Sequence, residues 1–271
     1  MKQRNPWLSG FALLIYAFLF APIVVLIIFS FNVSRRNFVW LGFTTDWYPK
    51  LFANRDLLDA LTITLEVAVI AVIGSTILGT LLGLGLARIK FRGAGATETL
   101  LLLPMVTPEI IMGISLLIFF GQLFGSYGSF TQISLAHVTF CISYVAVVVR
   151  ARAIGMDPRL EEAARDLGAS AWGAFRFVTL PLILPAVFAG AMISFALSFD
   201  DLVVTSFNAG VGSTTLPIFI YSSIKFGVTP QINAISTIIV AVVSIALFIA
   251  WRLGAFRPAV SSVAVEDAPA T

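Results

Sequence analysis

Apolar residues gather along most of this chain in blocks of about 20, the length that carries an α-helix across ~30 Å of hydrocarbon. The blocks run from Trp7 to Phe31, Leu61 to Ala87, Thr99 to Phe124, Gln132 to Val149, Leu180 to Phe199 and Ile232 to Trp251. They predict an all-α, polytopic bundle of about six membrane-spanning helices. The first block is longer than a signal-peptide core and no A-x-A-like cleavage site follows it, so it is expected to stay as a span, kinked at Pro22. Gly79, Gly83 and Gly85 give the second block a small-residue end suited to close helix approach. In the third, Pro104 and Pro108 disturb the opening turns and free backbone groups that need partners.

The polar intervals differ in kind. Asn32 to Asp59 carries Trp40, Trp47 and Tyr48, which favour the membrane interface, and a short surface helix is expected near Trp47 to Phe52. Leu202 to Asn233 has mixed character, with Pro217 and Gly227 bracketing a short helix. Asp157 to Pro185, DPRLEEAARDLGASAWGAFRFVTLPLILP, is written like a folded element. Asp157 suits an N-cap and Pro158 a first helical position, while Glu161 and Glu162 complement the positive helix start. Leu160, Ala163, Ala164 and Leu167 form an apolar stripe at helical spacing. Gly168 is placed to end that helix, and Ser170 to cap a second one from Ala171.

Composition narrows the class. The chain has 271 residues, 59% hydrophobic and 11% charged, with a mean hydropathy of +0.98, against roughly 25% charged residues in a soluble domain. It is an integral membrane protein with no room for a separate nucleotide-binding domain. With the N-terminus inside, twelve of the 17 Lys and Arg face the cytoplasm: Lys2, Arg4, Arg88, Lys90, Arg92, Arg150, Arg152, Arg159, Arg165, Arg176, Arg252 and Arg257. The positive-inside rule therefore puts both termini, and the Asp157 to Pro185 stretch, in the cytoplasm. The lone Cys141 reads as a packing residue, and the lone His137, without a ligand partner at metal spacing, as a hydrogen-bonded interior residue. No catalytic residue, metal site or phosphate-cradling loop appears, and nothing points to a nucleic-acid partner. Leu103, Pro104, Pro108 and Gly113 recur as Leu180, Pro181, Pro185 and Gly190, either a repeat of two broken helices or a chance match in apolar sequence.

Glu162, Ala163, Ala164, Gly168, Val178, Leu180 and Pro181 reproduce the spacing E-A-A-x3-G-x9-I-x-L-P, with Val178 in place of Ile. This resembles the EAA loop of ABC importer permeases. The strings AHVTFCISYVAVVV (Ala136 to Val149), LSFDDLVVTSF (Leu197 to Phe207), TTLP (Thr214 to Pro217) and INA (Ile232 to Ala234) look like the second permease subunit of the spermidine/putrescine branch.

The resemblance implies a type I ABC importer permease-like fold: one transmembrane permease domain over 1–257, with its EAA loop at 150–181. The cytoplasmic tail at 258–271, polar with Ala and Pro, is expected to be disordered. The resemblance also implies a bacterial inner-membrane location within the lipid bilayer, a homologous permease as heterodimer partner, two copies of a cytoplasmic ABC ATPase that hold ATP and Mg, and an extracytoplasmic substrate-binding protein. The chain itself is then a transport subunit, not an enzyme, and holds no cofactor. Glu162, Ala163, Ala164, Leu167 and Gly168 are expected at the ATPase contact, on a cytoplasmic coupling helix.

A polyamine is a flexible, multiply charged cation, so its path calls for carboxylates and aromatic faces. Glu66, Glu109, Asp200 and Asp201 lie near or within spans, where a charge facing lipid costs about 2.5 kcal/mol or more. Glu66 is close to the outer surface, and Glu109 is also placed to cap backbone freed by Pro108. Asp200 and Asp201 are adjacent and repel unless a cation or donor stabilises them. Tyr144 and Tyr221 are further path candidates among abundant aromatics. An importer for another small solute, a secondary transporter that needs no ATPase, and a membrane scaffold are the alternatives.

Overall fold

The computed structural model describes residues 6–35, 39–89, 91–125, 127–225, 227 and 229–252. The expected tail at 258–271, and Lys2, Arg4, Lys90 and Arg257 of the charge count, lie outside the described residues. The described chain is helical, with a single bridge between Asn32 and Phe43 as its one strand-like pairing. Among the described residues four helices are long and apolar enough to cross a membrane, a fifth span arises if one sharply bent pair counts as one, and a shorter apolar helix covers Pro230–Ala246.

The chain divides into two compact units, residues 1–53 with 227–271, and residues 54–226. The first holds α1 (Pro6–Phe29), α2 (Trp47–Ala53) and α12 (Pro230–Arg252). Its most hydrophobic window in α1 is apolar all round and wholly unburied within the chain, the pattern of a helix that needs lipid or another protein around it. After α1 the chain folds back on Asn32. That buried side chain donates to the Val39 carbonyl at 2.8 Å and accepts from the Ser34 and Leu41 amides. Trp47 was expected at an interface; it is buried instead and donates its indole N–H to the Asn32 carbonyl at 2.7 Å. The short helix expected there forms as α2, which Gln231 of α12 ties down through the Lys50 carbonyl at 3.1 Å.

The second unit is built on α3 (Arg55–Arg88), α6 (Phe130–Ile154) and α9 (Leu180–Phe199). Asn54 caps α3 by accepting from the Leu57 amide, and Ser129 caps α6 by accepting from the Gln132 amide. Glycines let α3 and α6 touch backbone to backbone: a Cβ on Gly83 would stand 2.6 Å from the Ala146 carbonyl oxygen. On α9, Gly190 lies against Val145 of α6. Ser75 of α3 and Ser194 of α9 share a buried hydrogen bond of 2.6 Å, which satisfies both hydroxyls where lipid offers no partner.

Identical residue types behave differently in the two proline-rich stretches. The third apolar block is not one disturbed span but two helices, α4 (Ala94–Val106) and α5 (Glu109–Phe124), bent by 113°. Thr107 lies before Pro108 and takes the extended conformation, φ −69° and ψ 131°, because the proline ring excludes the α region for its predecessor. Pro104 is carried inside α4. In the other stretch the capped helix from Ala171 does not stop before the span. α8 (Ala171–Ala174), a π-helical turn over Phe175–Thr179 and α9 form one run of 29 residues, with Pro185 inside it. Pro181 has no N–H for the Phe177 carbonyl, and a widened turn in which the Leu180 amide reaches the Phe175 carbonyl accommodates the defect. The two matching strings therefore take different backbone conformations.

Gly83→Ala is expected to destabilise the folded protein by about 1–3 kcal/mol, since the new methyl meets backbone that cannot swing away. Gly85→Ala, with open space at its Cβ position, should leave the unfolding temperature of the detergent-solubilised protein unchanged or raised. Equal unfolding temperatures for the two variants would contradict the close α3–α6 contact.

Candidate functional site

Where α9 ends, the chain turns through Asp200 and Asp201 into α10 (Val203–Asn208). Asp201 holds this corner. Its Oδ1 accepts from the Val204 amide at 3.3 Å, and its Oδ2 accepts from the Thr205 amide at 2.7 Å and the Thr205 hydroxyl at 2.6 Å. The carboxylate thus satisfies backbone donors at the start of α10 and complements the positive helix end.

His137 reaches the same corner from α6, fully buried. Its Nδ1 lies 2.7 Å from the Ser198 hydroxyl, and its Nε2 lies 2.9 Å from the Thr205 hydroxyl and 3.4 Å from Asp201 Oδ2. Because the Thr205 hydroxyl donates to Asp201, it accepts from His137, which assigns the ring proton to Nε2. Nδ1 shares its hydrogen bond with the Ser198 hydroxyl. Ser198, His137, Thr205 and Asp201 form one fully bonded relay joining α9, α6 and α10. Asn208, at the far end of α10, donates to the Gly113 carbonyl of α5 at 3.1 Å.

Asp200 sits differently. It caps α9, is exposed, and among the described residues no other side chain hydrogen-bonds to its carboxylate. Tyr144 is half-buried and packs on the cluster of Phe120, Ala136, Phe140, Cys141 and Val204 around the corner. Glu66 is exposed on α3, Glu109 is exposed in the first turn of α5, and Tyr221 is exposed on α11 (Leu216–Ile224) with the Lys225 ammonium 5.3 Å from its ring centre. The structure therefore brings Asp200, Asp201 and Tyr144 to one region and leaves the other three on the surfaces of their own helices. Ser198 and Thr205 escaped the sequence reading, although Asp201 and Thr205 at i and i+4 after a span end are the local signal for such a cap. Among the described residues no group of three His, Cys, Asp or Glu side chains is arranged to hold a metal ion.

The second candidate site is α7 (Arg159–Asp166). Asp157 Oδ1 accepts from the Arg159 amide at 2.9 Å. Pro158 stands just before the first helical residue rather than at it. At the other end the Gly168 amide bonds to the Arg165 carbonyl and the Ala169 amide to the Ala164 carbonyl, the paired closure of a Schellman motif, with Gly168 at φ +90°. Ser170 then accepts from the Gly173 amide at 3.1 Å. No residue of α7 is buried, Leu167 is 90% exposed, and nothing lies within 4 Å of where a Gly168 Cβ would be. The helix is tied from below by Arg88, whose Nη1 lies 2.6 Å from Glu161 Oε1 and whose Nη2 lies 3.5 Å from the Thr179 hydroxyl.

The sequence profile of the binding-protein-dependent transport system inner membrane component matches residues 75–261. The chain belongs to this family. The permease is 43% identical over 256 residues to the putrescine transport system permease protein PotI of Escherichia coli K12, covering 92% of the chain and 91% of the relative. It is 44% identical over 245 residues to the spermidine/putrescine transport system permease protein PotC of the same strain, covering 90% and 92%. Its fold is that of ABC importer permeases. A bacterial ABC transporter that imports the acidic polysaccharide alginate superposes with a TM-score of 0.67 over 95% of the permease and 99% of that chain, at 15% identity. An amino acid ABC transporter superposes with a TM-score of 0.55 over 77% and 99%, at 22% identity.

Truncating Asp201 in the permease leaves the Thr205 hydroxyl and two backbone amides short of a partner, so Asp201→Ala should lower stability by about 1–3 kcal/mol. Asp200→Ala removes no such partner and should lower it by much less. Thermal unfolding of the two purified variants measures the difference, and an equal loss would show that the relay does not hold the corner.

Proposed function

We propose that the permease is the polyamine-translocating subunit of an ATP-driven importer, lining the path together with a homologous permease in a heterodimer. The observation that carries this reading is the near-full-length kinship with PotI and PotC, two permeases named for putrescine and spermidine/putrescine transport. An extracytoplasmic binding protein delivers the polyamine, and two copies of a cytoplasmic ABC ATPase supply the chemistry on ATP and Mg. This chain carries no catalytic step. Both termini face the cytoplasm, with α7 at the cytoplasmic face.

In this reading the exposed α7 docks on the ATPase. Glu162, Ala163, Ala164, Leu167 and Gly168 make the contact, Ala163, Ala164 and Gly168 being small enough to admit close approach. ATP-driven closure of the ATPase pair displaces α7, and the continuous run from Ala171 to Phe199 carries that displacement to the Asp200–Asp201 corner. There the two carboxylates divide their work. Asp201, fully bonded, holds the corner; Asp200, without a side-chain partner, meets the ammonium groups of the substrate. Tyr144 offers an aromatic face nearby, and Glu66, Glu109 and Tyr221 serve the path where the homologous permease or the binding protein closes over them.

Asp200→Asn is expected to reduce putrescine uptake about tenfold or more, since the lost contact is a charge-assisted one, while the importer still assembles. Uptake by proteoliposomes containing the permeases, ATPase and binding protein measures this. Intact transport in the Asp200→Asn/Asp201→Asn double variant would remove the path assignment, and uptake by this chain without the ATPase would make it a self-sufficient transporter. Gly168→Trp, strained at a positive φ and bulky at the contact, should uncouple ATP hydrolysis from uptake; normal uptake by the assembled variant would count against docking through α7.

A further inference from the structure

α7 is connected to the spans in two ways, and only one of them is the chain itself. Through Gly168 and Ser170 it leads into the run that becomes α9. Through Arg88 it is joined to α3, a span that precedes it by a long stretch of sequence. The guanidinium uses separate nitrogens for separate elements: Nη1 for Glu161 on α7 and Nη2 for Thr179, the last residue of the π-helical turn and itself fully buried. A planar fork with fixed donor directions can hold two partners in one register, which a lysine ammonium on its flexible stem does not reproduce.

We propose that Arg88 is a positioning residue for energy coupling: it makes α3 move as one body with α7 and the start of α9 when the ATPase displaces α7. Three observations converge on this role. Arg88 is the last residue of α3, so a pull on it acts along the whole 34-residue helix. Higher up, α3 and α9 are already joined by the buried Ser75–Ser194 bond, so a lower tie at Arg88 prevents the two helices from shearing about the upper one. The π-helical turn between α8 and α9 is the natural place for α7 motion to be absorbed, because its widened turn can tighten to an α-helix; Arg88 pins its end. The neighbouring arginines make other ties, Arg150 to Glu98 of α4 and Arg152 to the Leu182 carbonyl of α9, and among the described residues only Arg88 of the three bonds to α7.

The Arg88–Glu161 pair is partly exposed, with the two side chains 36% and 17% accessible. Such pairs contribute little to stability. Its loss should therefore spare folding and assembly and appear in coupling, which separates the positioning role from a merely structural one.

The proposal rests on α7 being the ATPase-contacting helix and is independent of which solute is carried. Nitroxide labels at Leu81 on α3 and Asp166 on α7, in the assembled importer in lipid nanodiscs, report whether the two helices move together. In the otherwise unsubstituted protein the label distance should stay narrow and unchanged when ATP is added. In Arg88→Gln it should broaden or shift on ATP, with the ATPase still co-purifying. In proteoliposomes, Arg88→Gln should transport at least about threefold less putrescine per ATP hydrolysed, Arg88→Lys should fall between, and the charge-swapped Arg88→Glu/Glu161→Arg pair should recover more than either single reversal. Identical label distances in Arg88→Gln and the parent, or a swap no better than its single reversals, would overturn the proposal. Absence of putrescine uptake by the parent importer would count against the polyamine reading alone and leave the distance result standing, whereas normal coupling in Gly168→Trp would count against docking through α7, the premise of the proposal.

Discussion

Hydrocarbon offers no hydrogen-bond partner, so every polar group carried into the membrane has to be matched inside the protein. In the larger unit that demand converges on α6. Its most hydrophobic window is 61% buried within the chain, against none of the window in α1 and 17% of that in the run ending in α9. The polar residues of α6 are the ones that join its neighbours. Gln132 accepts from the Gly128 amide and donates to the Leu117 carbonyl of α5. His137 binds Ser198 of α9 and Thr205 of α10. Between these polar joints the packing is close and apolar, through the glycines of α3 and Gly190 of α9. α6 is thus the axis around which the other spans of this unit are ordered.

The helices were legible because membrane insertion imposes a length and a composition that a window of apolar residues reveals directly. The α7 turn was legible for a different reason: its Asp157, Gly168 and Ser170 act on backbone groups two to five residues away, so the determinants sit side by side in the chain. The failures have one physical origin, which is that the deciding contact is remote in sequence. Pro108 breaks a helix and Pro185 does not, though both stand in similar strings. The π-helical turn takes up the bond that Pro181 forfeits, while Pro185 is carried inside α9, whose Gly190 packs on Val145. Trp47 looked like an interfacial residue by type, yet the Asn32 carbonyl, delivered by a loop that folds back, accepts its indole proton. The Arg88–Glu161 tie joins residues 73 positions apart, and neither residue is unusual where it stands.

The candidate site was read halfway. Two adjacent carboxylates at the end of an apolar span flagged themselves as costly, and the single histidine was expected to be bonded in the interior. What no local pattern supplied was that these are one feature, with His137 completing the shell of Asp201 through Thr205. The sequence treats Asp200 and Asp201 as near-equivalents; the fold makes them opposites, because α10 begins immediately after them and its free amides point at only one.

That asymmetry bears on how a charged solute crosses under the proposed reading. A cation path needs negative charge, but a site with two free carboxylates would hold a polyamine too firmly, and release must keep pace with the ATP cycle. Binding one carboxylate to helix amides and the Thr205 hydroxyl keeps its charge in the corner while withdrawing its oxygens from direct contact. The substrate then meets the field of two acids and the lone pairs of one. Such a site attracts an ammonium group without fully coordinating it, and because Asp201 is also the joint between α9 and α10, any displacement carried up α9 changes where Asp200 points. Attraction and release are governed by the same turn of chain.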